Sequence, residues 1–302
     1  MELENWFIKI GEIEILPEDI PRADIDRVSY CAIPIKLIFS QTNLIISTAT
    51  SFFYKYNSKV YLITNWHNVT GINPITKEFL NDYSCQPDTL QFVWLAQKQP
   101  FIKRNRYNKK LYFDEEMTQP RWFIHPDKGN NVDVIALEID IDGKEINAIN
   151  DQDFDDFKAT VADDVYILWF PYNLKGAGNF PLWKKWTIAT EPDFSIDGLP
   201  KMLIDTASRP WMSGSPVIYR RRGIHNLWED GMMKDDSIIW EIQGFVWIYS
   251  GRILWDTMLE AQLGIVRKKE VIEEIIMGEK FDDRSNFLVK FEKEKQWKVD
   301  TK

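Results

Sequence analysis

The sequence predicts an all-β protein made of two small barrels and one C-terminal helix. Short runs rich in β-branched and aromatic residues recur along most of the chain, each bounded by turn residues at the spacing of a sandwich or barrel. The runs fall into two groups, divided by the acidic stretch "DIDGKEINAINDQDFDDF", Asp140 to Phe157. Helical periodicity is scarce until "RKKEVIEEIIMGEK", which sets Val271, Ile272, Ile275 and Ile276 on one face.

Taken in order, residues 1–30 read as an N-terminal arm and residues 31–143 as the first barrel. Its strands are "IPIKLIF" (Ile33 to Phe39), "NLIISTATSFFYKY", "VYLITNW", "TLQFVWLA" and "DVIALEIDI". Asn57, Ser58 and Lys59 supply a hairpin turn between the second and third of these. Residues 144–160 form the connection between the barrels, and their charges are read as a solvated face. Residues 161–280 make the second barrel from "VYILWF", "WTIAT", "KMLIDTA", "SPVIY" and "IIWEIQGFVWIYSG", followed by the helix with Gly278 as its C-cap. Residues 281–302 are a tail. No internal repeat stands out.

Composition narrows the function. With 302 residues, 44% of them apolar, and 13 tryptophans, the chain can bury a large core without disulfide staples. A net charge of −9 argues against broad contact with a phosphate backbone, so nucleic acid is not an expected partner. No run reaches the roughly 18 apolar residues of a membrane helix, and the acidic start "MELENWFIKIGEIEI" lacks a basic region and a continuous apolar stretch. A signal peptide and a membrane are therefore not expected. Two cysteines, Cys31 and Cys85, are too few for a disulfide framework, which fits a reducing cytoplasm.

Several local patterns are set aside. Glu138, Asp140, Asp142 and Gly143 alternate like a calcium loop, but Ile149 stands where a bidentate glutamate is needed. "KRNRYNKK", Lys103 to Lys110, is followed at once by Asp114, Glu115 and Glu116 and reads as a solvated hairpin or loop. Asn68 to Thr70 spells a glycosylation sequon in a chain with no expected secretion. Three scattered histidines and two distant cysteines give no zinc spacing, and no metal or other cofactor is expected.

The stretch "DTASRPWMSGSPVIYR" sets small residues on a turn between two strands. A serine there becomes a nucleophile only if a base takes its proton. Among His67, His125 and His225, His67 has the right setting, at the end of the apolar strand "YLITNWHNVTG" and just before a turn. His125, before Pro126, looks structural, and His225 lies in a polar loop. The base needs an acid to orient it. Asp133 opens the apolar strand "NVDVIALEI", where a carboxylate is costly to bury without a partner.

Together these residues give the order His, Asp, Ser, each at a strand edge in an all-β chain. The sequence here resembles a trypsin-like (chymotrypsin-fold) serine protease, of the cytoplasmic bacterial type without disulfides. "LITNWHN" resembles the family's histidine motif, "DVIALEI" its aspartate motif and "MSGSPV" its G-x-S-G-x-P serine motif. The resemblance runs from about Ala32 to Gly278, "PLWKKWTIAT" and "LGIVRKKEVIEEII" included. It implies two six-stranded-type β-barrels packed face to face with a C-terminal helix. It implies Ser213 as nucleophile, His67 as general base and acid, and Asp133 as the residue that orients the imidazole.

By the same match, the backbone N–H groups of Ser213 and Trp211 form the oxyanion hole, Gly214 allows the tight turn and Pro216 starts the next strand. Trp211 replaces the family's usual glycine, so its backbone is less free and its indole crowds the scissile bond. Met212 stands where secreted digestive members carry an aspartate that pairs with a new N-terminus, which implies no activation by N-terminal cleavage. The S1 pocket is placed at Ala207, with walls at Tyr249, Ser250 and Gly251; without a charge at its floor, a neutral P1 side chain is expected. The expected partner is a peptide or protein substrate, and no oligomeric state is implied. The alternative is a protease fold that binds peptides without cutting them, its oxyanion hole broken at Trp211.

Overall fold

The computed structural model describes residues 8–10, 13–15, 25–98, 101–143, 146–155, 158–170, 180–206, 212–225, 228–229, 232–233, 238–252 and 262–283. An N-terminal hairpin pairs β1 (Ile8–Ile10) with β2 (Ile13–Ile15). Next come β3 (Ala32–Phe39), β4 (Leu44–Tyr56), β5 (Lys59–Thr64) and the short helix α1 (Trp66–Thr70). Strands β6 (Thr89–Lys98), β7 (Phe101–Lys110), β8 (Trp122–Phe123) and β9 (Ile135–Ile139) complete the first sheet. The second group is β10 (Asp164–Trp169), β11 (Leu182–Ile188), β12 (Lys201–Asp205), β13 (Pro216–His225), β14 (Trp228–Glu229), β15 (Met232–Met233), β16 (Ile238–Arg252) and β17 (Leu263–Lys268). Helix α2 (Glu270–Gly278) follows at once.

The second group closes into a six-stranded antiparallel barrel in the order β10-β11-β12-β17-β16-β13, with β13 returning to β10. Val165, Ile167, Trp169, Ile204, Val217, Tyr219, Trp247 and Val266 fill it, alternate residues of each strand pointing inward. The first group is a seven-stranded sheet in the order β7-β6-β3-β4-β5-β9-β8, curled but without hydrogen bonds between its edge strands. The chain is thus an all-β double-barrel protein, one barrel fully closed and the other open at a seam.

Period-two patterning explains how the two units meet. On β4, Phe53 turns into the first unit with Ile33, Ile35, Leu37 and Leu62, stacking edge-on against Phe92 and Trp94. Its neighbour Phe52 turns the other way, and the outer face it shares with Ile63, Val134 and Ala136 is also buried. What covers that face is the second barrel, through Leu168, Ile218, Phe245 and Ile248, together with α2. Strands buried on both faces read as continuous apolar runs, which is why β4, β5 and β9 show no clean alternation.

Helix α2 buries the four apolar side chains expected of it, worth about 1.5–3 kcal/mol each. Its left-handed cap is Glu279 (φ 44°), one residue beyond the expected Gly278. Gly278 serves packing instead, since a Cβ there would lie 3.0 Å from the Pro126 ring. Of the two readings of "KRNRYNKK", the hairpin holds and the loop does not: it forms most of β7, paired along its length with β6 as an edge strand.

Candidate active site

The site lies on the seam between the units and starts from β5, which runs directly into α1. Asn65 caps that helix without a side-chain cap bond: its Nδ2 donates to the Asp133 carbonyl at 2.7 Å, and its buried Oδ1 accepts from no group among the described residues. The buried Trp66 anchors the first turn by donating its indole N–H to Asp282 Oδ2 at 2.8 Å, an oxygen that Trp122 also reaches at 3.2 Å. Gly71 ends the helix in the left-handed region (φ 68°), its N–H returning to the His67 carbonyl at 2.9 Å. His67 is therefore held on one rigid turn at the end of the strand.

Asp133 arrives from the other side of β5. It closes a 3-10 turn over Asn130–Val132 with φ 58°, a conformation that non-glycine residues adopt at a cost and that aspartate tolerates better than most. Two residues later the chain enters β9, which pairs with β5 in the register Thr64↔Ile135. That register sets the carboxylate beside α1. His67 N–H donates to Asp133 Oδ1 at 3.1 Å, and His67 Nδ1 lies 3.0 and 2.9 Å from Oδ1 and Oδ2. Ionised, the carboxylate accepts only, so Nδ1 carries the proton and Nε2 keeps its lone pair. Asp133 is 1% exposed, and its oxygens are satisfied by these donors and by the Ser250 hydroxyl, which donates to Oδ2.

Ser213 sits on a tight turn of the second barrel. Ser215 N–H bonds the Met212 carbonyl at 3.1 Å, and Gly214 takes φ 82° while donating to the Tyr249 carbonyl at 2.9 Å. The Ser213 carbonyl is gripped from the first unit by Thr50 N–H at 3.1 Å and Asn68 Nδ2 at 3.3 Å. Asn68 is the residue after His67. A Cβ on Gly214 would stand 2.1 Å from the Thr50 carbonyl oxygen and 2.4 Å from Thr64 Oγ1, so the units meet almost backbone to backbone there.

His67 and Asp133 are thus joined directly, and Ser213 is clamped by its backbone one residue from His67. Among the described residues no hydrogen bond joins the His67 ring to the Ser213 hydroxyl. Ser213 is half-buried, whereas Ser215 is fully buried, its hydroxyl without a partner among the described residues, which separates the two serines by access. Met212 packs into the second barrel's core. Trp211 and Ala207 lie outside the described residues. Of the expected pocket walls, Tyr249 is buried in the barrel core, and Gly251 (φ 135°) has no atom of the described residues within 4 Å of where a Cβ would be.

Ser250 does something the sequence reading did not give it: its hydroxyl goes to Asp133. Asn65, Asn68 and Thr64 form a second group that sequence reasoning passed over, Thr64 Oγ1 donating to the Thr50 carbonyl and accepting from Asn68 Nδ2, each at 2.9 Å. Their signal was present as three polar residues flanking a histidine at the end of an apolar strand. His125 is structural: its Nδ1 accepts the backbone N–H groups of Asp127 and Lys128, so its Nε2–H faces Glu274 of α2 at 2.9 Å. Among the described residues no three His, Cys, Asp or Glu side chains converge as a metal site, and no helix is long and apolar enough to cross a membrane.

In structure the chain is similar to an inactive mutant form of Rv3671c from M. tuberculosis H37Rv, at 14% identity and a TM-score of 0.42, covering 88% of this chain and 95% of that one. It is also similar to the protease Anisep from Arthrobacter nicotinovorans, at 11% identity and a TM-score of 0.44, covering 82% of this chain and 93% of that one. No protein-family model and no curated sequence matches it.

Proposed function

We propose that the chain is a serine endopeptidase acting through Ser213, His67 and Asp133. The observation that carries this reading is the His67–Asp133 pair, bonded through Nδ1 and the backbone N–H, beside a turn whose serine carbonyl is clamped by the next residue of the same helix. In the reaction, His67 Nε2 takes the Ser213 proton as Oγ bonds to the scissile carbonyl carbon. Collapse of the tetrahedral adduct breaks the C–N bond, and the same proton passes from Nε2 to the leaving amine. Water then gives a proton to Nε2 and attacks the acyl ester, and the returning proton frees Ser213.

The adduct's oxyanion is met by the Ser213 N–H and, by the family resemblance, the Trp211 N–H. Such donors are worth about 3 kcal/mol each. Substrates with a neutral P1 side chain fit the absence of charge at Ala207. A cytoplasmic setting belongs to the same reading, on the strength of cysteine usage.

A second reading, a protease fold that binds peptides without cutting them, is favoured by one observation: the His67 ring and Ser213 hydroxyl are not hydrogen-bonded. Fluorophosphonate labelling decides between them, because only an activated serine reacts. The enzyme reading expects labelling of the wild type, loss of it in Ser213→Ala and no effect of Ser215→Ala. A folded wild type that stays unlabelled alongside a reactive control protease leaves the binding module standing instead.

A further inference from the structure

Asp133 is buried, and four side chains or backbone donors approach it: His67 and its N–H from α1, Ser250 from β16 and Arg267 from β17. Arg267 is unexpected. It follows Val266, which faces the second barrel's core, so Arg267 points out of that barrel, yet only 6% of it is exposed. Its Nε lies 3.5 Å from Ser250 Oγ, and its Nη1 is buried with no hydrogen-bond partner among the described residues. Burial pulls the guanidinium down from its usual range, and the Asp133 charge opposes that pull. An arginine with an unspent buried donor is poorly explained as hydrogen-bonding filler. It is well explained as a fixed positive charge answering Asp133.

We propose that Arg267 is a positioning residue that fixes the direction of the protons along Ser250, Asp133 and His67. A guanidinium can only donate. The Ser250 oxygen therefore turns its lone pairs towards Arg267 and its single proton towards Asp133 Oδ2. At 3.5 Å this effect is charge on dipole more than a strong bond. Oδ1 already accepts the His67 backbone N–H, so both carboxylate oxygens face donors. His67 Nδ1 must then donate, which leaves the lone pair on Nε2. Among the described residues Arg267 makes no hydrogen bond to Ser213 or His67, and it acts through Ser250 and the field at Asp133.

The inference rests on the endopeptidase reading for its purpose but not for its test. Nitrogen NMR of ¹⁵N-histidine-labelled full-length protein reads the His67 tautomer directly, with His67→Gln to assign the signal. The wild type is expected to show the Nδ1–H form. Arg267→Met is expected to mix in the Nε2–H form and to slow fluorophosphonate labelling of Ser213 by about 10–100-fold, as is typical of partners one layer out from a reacting group. Arg267→Lys, which keeps the charge, is expected to restore both. A folded Arg267→Met with a wild-type His67 spectrum overturns the inference. Where Arg267→Met does not fold, Ser250→Ala takes its place, since it leaves the charge but cuts the link, and an unchanged tautomer there overturns it too. A wild type that never labels, but whose tautomer responds to Arg267→Met, sinks the enzyme reading and leaves this inference intact.

Discussion

Gly214→Ala is the sharpest test of how the two units meet. The added methyl would stand 2.1 Å from the Thr50 carbonyl oxygen and 2.4 Å from Thr64 Oγ1, far inside contact distance, and neither neighbour is the free end of a flexible chain. Overpacking of this kind costs about 1–3 kcal/mol. The backbone sits at φ 82°, which adds about 1–2 kcal/mol for any residue with a Cβ. The sum is about 2–5 kcal/mol, and relief comes by prising Ser213 away from Thr50 and Asn68. Urea unfolding would measure the lost stability, and fluorophosphonate labelling would register the displaced serine. Gly251→Ala is the control: it shares a positive φ, 135°, but meets no atom within 4 Å among the described residues, so it bears strain without a clash there. If Gly214→Ala lost no more stability than Gly251→Ala and labelled at the wild-type rate, the close contact between the units would not exist.

Asp133→Asn keeps the shape but turns a donor towards Nδ1, so Ser213 labelling and peptide cleavage should fall by about 10⁴-fold with little change in KM; a fall below tenfold would remove Asp133 from the mechanism. Asp282→Ala leaves the buried Trp66 and Trp122 indole N–H groups without their shared acceptor and should cost about 2–4 kcal/mol, visible in urea unfolding followed by tryptophan fluorescence. Tyr219 is pushed up to about 12, by burial first and by Asp163 second. Above pH 10 the unfolded chain releases this proton while the fold retains it, so stability should decline as pH rises from 10 towards 12. Tyr219→Phe should flatten that decline in unfolding midpoints measured across the range, and an unchanged slope would contradict the assignment.

The strands were legible because burial follows the pleat, and Phe52 and Phe53 could be read as strand residues whichever face each took. The strand at Phe101–Lys110 was hidden by its charges. Lysines and arginines signal solvent, and an edge strand with one wet side satisfies that signal while still pairing through its backbone. His67 and Asp133 stood out because each is polar inside an apolar run, where burial without a partner is costly. Ser250 had no such mark. Its partner is 117 residues away in the chain, and its direction is set by a bulge where the β16–β17 register shifts between Tyr249 and Gly251. Glycine after an apolar helical run signals a helix stop, but Gly278 is fixed by its contact with Pro126, a residue no local pattern connects to it.

The strain at Asp133 and the burial of its charge belong to one arrangement. The left-handed turn turns the carboxylate back towards α1 just before the chain joins β9, while the backbone carbonyl of the same residue accepts from Asn65 and Trp66. One residue is thereby bonded to α1 through both its side chain and its main chain. The conformational cost is about 1–2 kcal/mol, less than the penalty for leaving a buried carboxylate without donors. The second unit then adds the Ser250 hydroxyl and the Arg267 charge to the same carboxylate, so docking the units completes the surroundings of a group that the first unit leaves only half satisfied.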